Sequence, residues 1–233
     1  MTLDQTMQAL KAAGTAQTLK TYLRHGYPQD TFGVSFADLK KLARKLDGEH
    51  ELAQQLWKTG NGDARTLATM IADSDEATPE ELDAWVADVK FSLLAQMVAR
   101  YAGETEFAEE KAAEWTASTD DFIGETGYHL VSHLALNDEE LPDSFFEGHL
   151  RTIEKSIHQS KNYTKYAMNQ ALIAIGVRNP NLTKRALAAA DKIGKVSVDH
   201  GDTACKTPDA GAYIRKTLAA VDETKVRPAR PKK

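Results

Sequence analysis

Apolar residues recur at helical spacing along most of the chain, and the pattern is clearest in the stretch 162–180, NYTKYAMNQALIAIGVRNP. Met168, Leu172 and Ile175 fall there at i, i+4 and i+7, which predicts the buried stripe of an α-helix. A polar and aromatic row recurs on another side of the same helix, at Asn162, Lys165, Tyr166 and Asn169. This row is either the solvated edge of a core helix or a face that binds a partner.

Short amphipathic helices account for almost every other segment, and no stretch alternates between apolar and polar residues as a half-buried strand does. The clearest helix start is 78–81, TPEE, where Thr78 is the predicted N-cap and Glu81 is expected to complete a capping box. The segment 207–209, TPD, is expected to cap the last helix. Three further N-caps are predicted at Thr2, Thr15 and Ser35.

Helix pairs are predicted to begin near residues 50, 79, 106, 142 and 181. Trp57 with Asp63 and Trp115 with Asp121 share the spacing Trp-x5-Asp, with the tryptophan ending one helix and the aspartate opening the next. A degenerate repeat of helix pairs is typical of HEAT and armadillo solenoids, in which the second helices line a continuous concave surface. The predicted fold class is therefore an all-α superhelix (solenoid) of helical hairpins, with an irregular helical bundle as the alternative.

Charge is divided unevenly along the chain, which is predicted to form one domain over 1–224 and a basic, disordered tail at 225–233. Residues 140–233 hold 17 Lys and Arg against 10 Asp and Glu, whereas residues 1–139 hold 12 against 24. Contact with a polyanion is therefore expected to be local to the C-terminal half. Four of those positive charges lie in 226–233, so the tail contributes much of the excess.

Several features of the sequence predict a cytoplasmic protein without a membrane span. The longest apolar run is far too short to cross a bilayer, and the first residues have neither the basic nor the apolar region of a secretory signal. Cys205 is the single cysteine of the chain, which permits no internal disulfide and suits a reducing compartment.

Two clusters hold side chains with the potential for chemistry. Glu125, His129 and His133 fall at i, i+4 and i+8 on one predicted helix, but they lack the H-E-x-x-H order and further metal ligands. The segment 199–205, DHGDTAC, contains a Cys–His pair, although nothing in the sequence activates its thiol, and a structural loop is the simpler interpretation. The sequence also has no phosphate-binding glycine loop of the usual patterns. We therefore expect no metal and no cofactor.

Four segments, 32–46, 51–73, 163–180 and 193–214, make most of the chain similar to the bacterial DNA alkylation repair proteins, the AlkD-like DNA glycosylases built from HEAT-like repeats. The last two segments are the most specific. The resemblance implies a C-shaped solenoid whose concave, basic face binds double-stranded DNA and releases cationic N3- or N7-alkylated purines by hydrolysis, without a metal. It also implies that the lesion is handled through contacts to backbone and sugar, without base extrusion.

The chemistry of that family requires a carboxylate near C1′ of the sugar, because cleavage of the bond to a cationic base leaves an oxocarbenium-like ion. The family places its aromatic ring and carboxylate as Trp-x-x-x-Asp, and the corresponding residues here are Phe91 and Ala95. Alanine can neither stabilise a cation nor position water. The family's lesion-side arginine corresponds to Glu125 and its second cleft tryptophan to Gln170, while Asp88 is the nearest upstream carboxylate.

These departures leave three functional interpretations open. The first is a glycosylase that uses an altered carboxylate, Asp88 or Glu125, and the second is a non-catalytic solenoid that binds DNA. The third is a protein-interaction scaffold without a nucleic-acid role, which the acidic N-terminal half favours. For DNA binding, the residues expected in the cleft are Phe91, Lys161, Asn162, Lys165, Tyr166, Asn169, Gln170, Lys184 and Arg185, with the four basic side chains on phosphates.

Overall fold

The computed structural model of the protein describes the backbone of residues 1–226 and the side chains of residues 1–220. From residue 227 onwards, the predicted tail 225–233 lies outside the described residues. The described chain forms thirteen α-helices and no strand: α1 Leu3–Ala13, α2 Ala16–Arg24, α3 Phe36–Ala43, α4 His50–Lys58, α5 Gly62–Ile71, α6 Pro79–Ala87, α7 Ser92–Ala102, α8 Ala108–Thr116, α9 Asp121–Asn137, α10 Asp143–Ser156, α11 Asn162–Gly176, α12 Pro180–Ile193 and α13 Ala210–Val226.

The helices from α4 onwards pair into five hairpins that stack side by side. The first members of the hairpins are α4, α6, α8, α10 and α12, and the second members are α5, α7, α9, α11 and α13. Successive second helices pack on one another, with α9 held between α7 and α11. This arrangement confirms the predicted all-α superhelix with a concave face formed by the second helices.

Helix starts follow the predicted capping residues, with one correction. Thr2, Thr15, Ser35 and Thr78 each accept a backbone N–H as the N-cap of the following helix. The predicted capping box at Thr78 is incomplete, because the Glu81 carboxylate turns into the protein and accepts hydrogen bonds from Tyr101 Oη at 2.9 Å and Gln54 Nε2 at 2.8 Å. At the last helix the capping acceptor within the predicted segment 207–209 is Asp209, which accepts the amide of Ala212 at 2.7 Å.

The two aspartates of the Trp-x5-Asp repeat have equivalent roles. Asp63, at the start of α5, accepts the amides of Phe32, Gly33 and Val34 and thereby fixes the segment that precedes α3. Burial raises the pKa of this carboxyl, while the three amide hydrogen bonds act in the opposite direction. Asp121, at the start of α9, accepts the amide of Thr164 at 2.8 Å in the first turn of α11. Each aspartate therefore joins its own helix to a neighbouring backbone segment.

Candidate nucleic-acid interface

A groove runs over the exposed sides of α3, α5 and α7. It is a cavity of about 430 Å³, and its charged lining comprises Lys40, Arg44, Arg100, Asp47 and Glu104. Arg100 Nε lies 3.3 Å from Glu104 Oε1, so one basic group is partly neutralised. Lys40 is exposed in the last turn of α3, and Arg44 is exposed immediately after that helix. The groove thus has a mixed lining with more basic than acidic side chains.

Beside this groove, α9 and α11 present two matching rows of side chains. Phe122, Glu125 and His129 fall at i, i+3 and i+7 on α9, which places them on one face of the helix. A second row has the same spacing on α11, at Tyr163, Tyr166 and Gln170. The two helices pack closely along their length. We call these six residues the α9–α11 seam.

An aromatic pair forms one end of the seam. The rings of Phe122 and Tyr163 are stacked, with centroids 4.7 Å apart and planes inclined by 22°. Phe122 is half-buried against the core, whereas Tyr163 remains 40% exposed. Asp121 accepts the amides of Tyr163 and Thr164, which fixes the start of α11 beside Phe122. The chain therefore holds a flat apolar surface at the N-terminal ends of both helices.

A buried carboxylate occupies the middle of the seam. Glu125 is 0% exposed, and among the described residues neither of its oxygens has a hydrogen-bond partner. The nearest cationic candidate is His129, whose Nε2 lies 3.7 Å from Glu125 Oε1 and is itself without a partner in the described chain. Unsatisfied buried polar groups are rare and costly in folded proteins, so this pair is an exception that requires an explanation.

Tyr166 connects the seam to the segment 194–209 that precedes α13. Burial raises the pKa of its phenol, and a hydrogen bond with Gln170 opposes that effect. Its ring meets the imidazole of His200 edge to face, with centroids 5.5 Å apart. His200 Nε2 in turn lies 2.9 Å from the hydroxyl of Thr207. The 194–209 segment is therefore part of the surroundings of this aromatic side chain.

Asn162 and Asn169, two residues expected to bind DNA, hold the 194–209 segment in place. Asn162 donates to the carbonyl of Asp199 and accepts the amide of Asp199, both at 2.8 Å. Asn169 is buried and donates to the carbonyl of Pro208 at 3.1 Å. The amide groups of the polar row on α11 are thus engaged within the protein.

Phe91 and Ala95 lie inside the protein and not on the exposed side of α7, contrary to the expectation that Phe91 lines the cleft. Phe91 is 3% exposed and packs on Tyr27 with ring centroids 4.2 Å apart, while Ala95 is fully buried. The exposed positions of this helix are Gln96 and Arg100. No Asp or Glu occurs between residues 91 and 100, so the exposed side of α7 has no carboxylate in that stretch. This holds however the stretch is aligned with the family's Trp-x-x-x-Asp pattern.

Asp88, the other candidate carboxylate, is held in an ion pair. Its Oδ2 accepts from Arg65 Nη2 at 2.7 Å and from Trp57 Nε1 at 3.2 Å. Arg65 also donates to the backbone carbonyls of Trp57 and Asp88. Asp88 therefore joins the end of α6 to α4 and α5, and the structure does not bring it together with Glu125.

The four basic residues expected on phosphates lie on two different layers. Lys161 and Lys165 are at the N-terminal end of α11, a second helix, and Lys161 is exposed. Lys184 and Arg185 lie on α12, a first helix that packs on α10 and α11. Arg185 Nε forms an ion pair with Glu147 of α10 at 2.9 Å. Lys184 and Arg185 thus belong to the outer layer and do not join the seam.

The other features considered from the sequence are a metal site, the thiol of Cys205 and a membrane span. Across the part of the chain that the structure describes, no three His, Cys, Asp or Glu side chains are grouped so that they could hold a metal ion. Cys205 is an exposed free thiol. No helix within the described residues has the length and apolar character needed to cross a membrane.

Sequence reasoning did not single out Phe122, Tyr163 or Arg100. A signal for the first two was present, because each lies next to Asp121 or to the polar row of α11, and both rows repeat with a spacing of three and four residues. Arg100 could have been found as the exposed basic residue of α7, the second helix of the second hairpin. The stacking partner of Tyr163 depends on a contact across 41 residues, which local pattern does not reveal.

Comparison with known proteins defines the class to which this solenoid belongs. The family model described as DNA alkylation repair enzyme matches residues 3–214, and the chain therefore belongs to that family. The chain is 32% identical to Lin0241 of Listeria innocua over 228 residues, covering 95% of this chain and 100% of that protein. It is also 32% identical to Lmo0209 of Listeria monocytogenes over 222 residues, covering 93% and 97%.

A solved structure is similar over almost the whole length. It is described as a new family of proteins related to the HEAT-like repeat DNA glycosylases, with affinity for branched DNA structures. The TM-score is 0.89 at 30% sequence identity, and the match covers 95% of each chain. The predicted kinship with HEAT-like alkylpurine glycosylases is thus confirmed at the level of family and fold.

Proposed function

We propose that this protein binds DNA through the concave face formed by its second helices and that it prefers branched DNA to linear double-stranded DNA. The observation that carries the proposal is the groove over α3, α5 and α7, which is lined by the exposed basic side chains Lys40, Arg44 and Arg100. Lys161 and Lys165 add positive charge at the start of α11, another of the second helices. Membership of the DNA alkylation repair enzyme family and similarity to a protein with affinity for branched DNA support it.

The mixed charge of the groove favours DNA over a protein partner. An acidic concave face would be expected of a scaffold for a basic protein, and the lining here has more basic than acidic residues. Two other acidic residues of the N-terminal half, Asp83 on α6 and Glu114 on α8, lie on first helices, where they flank the buried amine of Lys111. DNA contact is then expected to be electrostatic and sensitive to salt.

The proposal includes loss of the family's glycosylase reaction. Hydrolysis through an oxocarbenium-like ion needs a carboxylate that reaches the sugar. The exposed side of α7 has none between residues 91 and 100, Asp88 is engaged by Arg65, and Glu125 is fully covered. We therefore assign the protein to recognition of DNA and not to base excision.

Two measurements test the proposal. Fluorescence anisotropy with a three-way junction, a four-way junction and a linear duplex of equal length should give tighter binding to the branched substrates, and binding should weaken steeply as salt is raised. Incubation with methylated duplex should release no 7-methylguanine. Equal affinity for all three DNAs contradicts the preference, no binding at low salt contradicts the function, and released 7-methylguanine that disappears in Glu125→Gln or Asp88→Asn restores the glycosylase interpretation.

A further inference from the structure

We infer that the paired rings of Phe122 and Tyr163 form a stacking platform for a base pair at the branch point of DNA. The inference rests on the proposed function and deepens it, because it names the feature of branched DNA that the protein recognises. In a continuous duplex every internal base pair is covered on both faces by its neighbours. At a branch point the column of stacked pairs is interrupted, so a base pair there presents a free face while its own hydrogen bonds remain intact. No base has to leave its helix for this contact.

The platform has one free face, and that face lies at the surface. Phe122 packs against the hydrophobic core, and Tyr163 stacks on it with ring centroids 4.7 Å apart and planes inclined by 22°. Tyr163 is 40% exposed, and no second aromatic ring of the described residues stacks on it. A base pair would therefore cover the face of Tyr163 that is turned away from Phe122, without entering the protein. Such stacking tolerates any sequence, because every base has a π-face.

Contacts between α9 and α11 hold the platform in place before DNA binds. Asp121 accepts the amides of Tyr163 and Thr164 at 3.2 and 2.8 Å, and the hydroxyl of Thr164 donates to the carbonyl of Asp121 at 3.0 Å. Gly124 permits this close approach, because a Cβ atom at that position would lie 2.6 Å from Thr164 Oγ1. A ring that is already fixed loses little conformational freedom on binding, which favours affinity.

The charges beside the platform favour DNA as the molecule that covers it. Lys161 and Lys165 lie at the start of α11, and neither forms an ion pair among the described residues. The acidic residues there are Asp120 and Asp121, whose carboxylates accept amides in the first turns of α9 and α11. The positive ends of these helices offset the two acidic charges, which leaves the two lysines for the phosphates next to a stacked base pair.

The test compares a fully paired three-way junction with a linear duplex. All ends of both DNAs are closed by the same hairpin loop, so that only the junction has base pairs at a branch point. Tyr163→Ala should weaken binding of the junction about 10-fold and binding of the duplex by no more than about 2-fold, because only the junction loses a stacking contact. Tyr163→Phe should bind both DNAs like the unaltered protein, because stacking needs the ring and not the hydroxyl. Tyr213→Ala removes another exposed tyrosine ring, on α13, and is the matched control that should change neither affinity.

A fluorescence measurement reports the stacking directly and needs no variant. 2-Aminopurine loses emission when it is stacked, so binding of the unaltered protein should lower the emission of a 2-aminopurine–thymine pair at the branch point. The same pair in the middle of an arm should keep its emission. With Tyr163→Ala at a concentration that saturates the DNA, the decrease at the branch point should disappear.

The outcomes separate the platform from the proposed function. Equal losses of affinity for junction and duplex in Tyr163→Ala, or a junction affinity that this change leaves intact, would contradict the platform while branched-DNA binding stands. Emission at the branch point that stays constant or rises when the unaltered protein binds would contradict it as well. If the unaltered protein binds neither DNA, or binds both equally, the proposed function fails and the platform fails with it.

Discussion

The carboxylate of Asp121 accepts the backbone amide of Thr164 at 2.8 Å, so the residue that opens α9 also caps the first turn of α11. The same carboxylate accepts the amide of Tyr163 at 3.2 Å, and the hydroxyl of Thr164 donates back to the carbonyl of Asp121. The first amides of a helix have no intrahelical partner, and here a side chain from the neighbouring hairpin supplies it. Asp121 therefore sets the relative position of the two helices that form the seam.

Asp121→Ala is expected to lower the free energy of unfolding by about 1–2 kcal/mol, the usual cost of removing a helix cap. Asp121→Asn should recover part of that loss, because its carbonyl oxygen still accepts one amide. Urea unfolding followed by circular dichroism measures both. Asp191→Ala, at an exposed position of α12, is the matched control and should change the stability by less than about 0.5 kcal/mol. An equal effect of both alanine variants would show that the capping role is wrong.

The parts of this arrangement that could be predicted are those that depend on interactions between residues close together in the sequence. Capping by Thr2, Thr15, Ser35 and Thr78 depends on residues three positions away, and the sequence identified all four. The Trp-x5-Asp repeat likewise marked Asp121 as the start of a second helix. Its bonds to α11, some 40 residues later, could not be predicted, because they depend on how hairpins stack.

Helix faces were harder to predict than helix positions. Each residue turns an α-helix by about 100°, so an error of one position moves a side chain from the cleft to the core. Phe91 precedes α7 and packs on Tyr27, although its match to the tryptophan of the family's Trp-x-x-x-Asp pattern predicted a cleft residue. For Lys184 the signal was available, since a hairpin predicted to begin near residue 181 makes its helix a first, outer helix.

Arg178 should be among the most sensitive positions for stability. It follows α11, and its guanidinium donates to the carbonyls of Ala135, Asp138 and Leu141 at the end of α9 while lying 4.5 Å over the ring of Phe146. Removing a cationic donor from these carbonyls is expected to cost about 2–3 kcal/mol in Arg178→Ala. Arg178→Lys should recover less than half, because an ammonium cannot reproduce the planar fork.

Thermal or urea unfolding of the Arg178 variants provides the measurement. Arg151→Ala serves as the control, because that arginine is mostly exposed on α10 and its closest acidic atom is 3.9 Å away. Surface ion pairs of this kind contribute little, so its effect should remain below about 0.5 kcal/mol. If Arg178→Ala is no more destabilising than Arg151→Ala, the carbonyl contacts do not stabilise the end of α9.

His149 should make stability depend on pH. Burial lowers the pKa of its imidazole to about 4, from an ordinary 6.5, in a site where its ring packs against Phe145. Between those values the unfolded chain binds the proton and the folded protein does not, so the free energy of unfolding falls as the pH is lowered from 6.5 towards 4. The full shift corresponds to at most about 3 kcal/mol.

The comparison that isolates this effect is urea unfolding of the unaltered protein and of His149→Gln at pH 7 and at pH 4.5. Carboxyl groups also titrate over this range, but they do so in both proteins. The difference between the two losses of stability therefore reports the histidine. The unaltered protein should lose more stability than His149→Gln on acidification. His25→Gln, at an exposed position, should behave like the unaltered protein. Parallel losses in the unaltered protein and His149→Gln would exclude a contribution from His149.

The placement of the basic residues predicts a contrast between Lys165 and Lys184 in DNA binding. Lys165 lies on α11 with the seam, whereas Lys184 is exposed on α12 in the outer layer. If the concave face binds DNA, Lys165→Ala should weaken binding similarly for all sequences and reduce the slope of log K against log salt concentration by about 1. Lys184→Ala removes the same charge from the chain and should leave the slope unchanged. Because both variants alter net charge equally, a difference between them reports position, and equal slopes would mean that bulk charge or the outer layer binds the DNA.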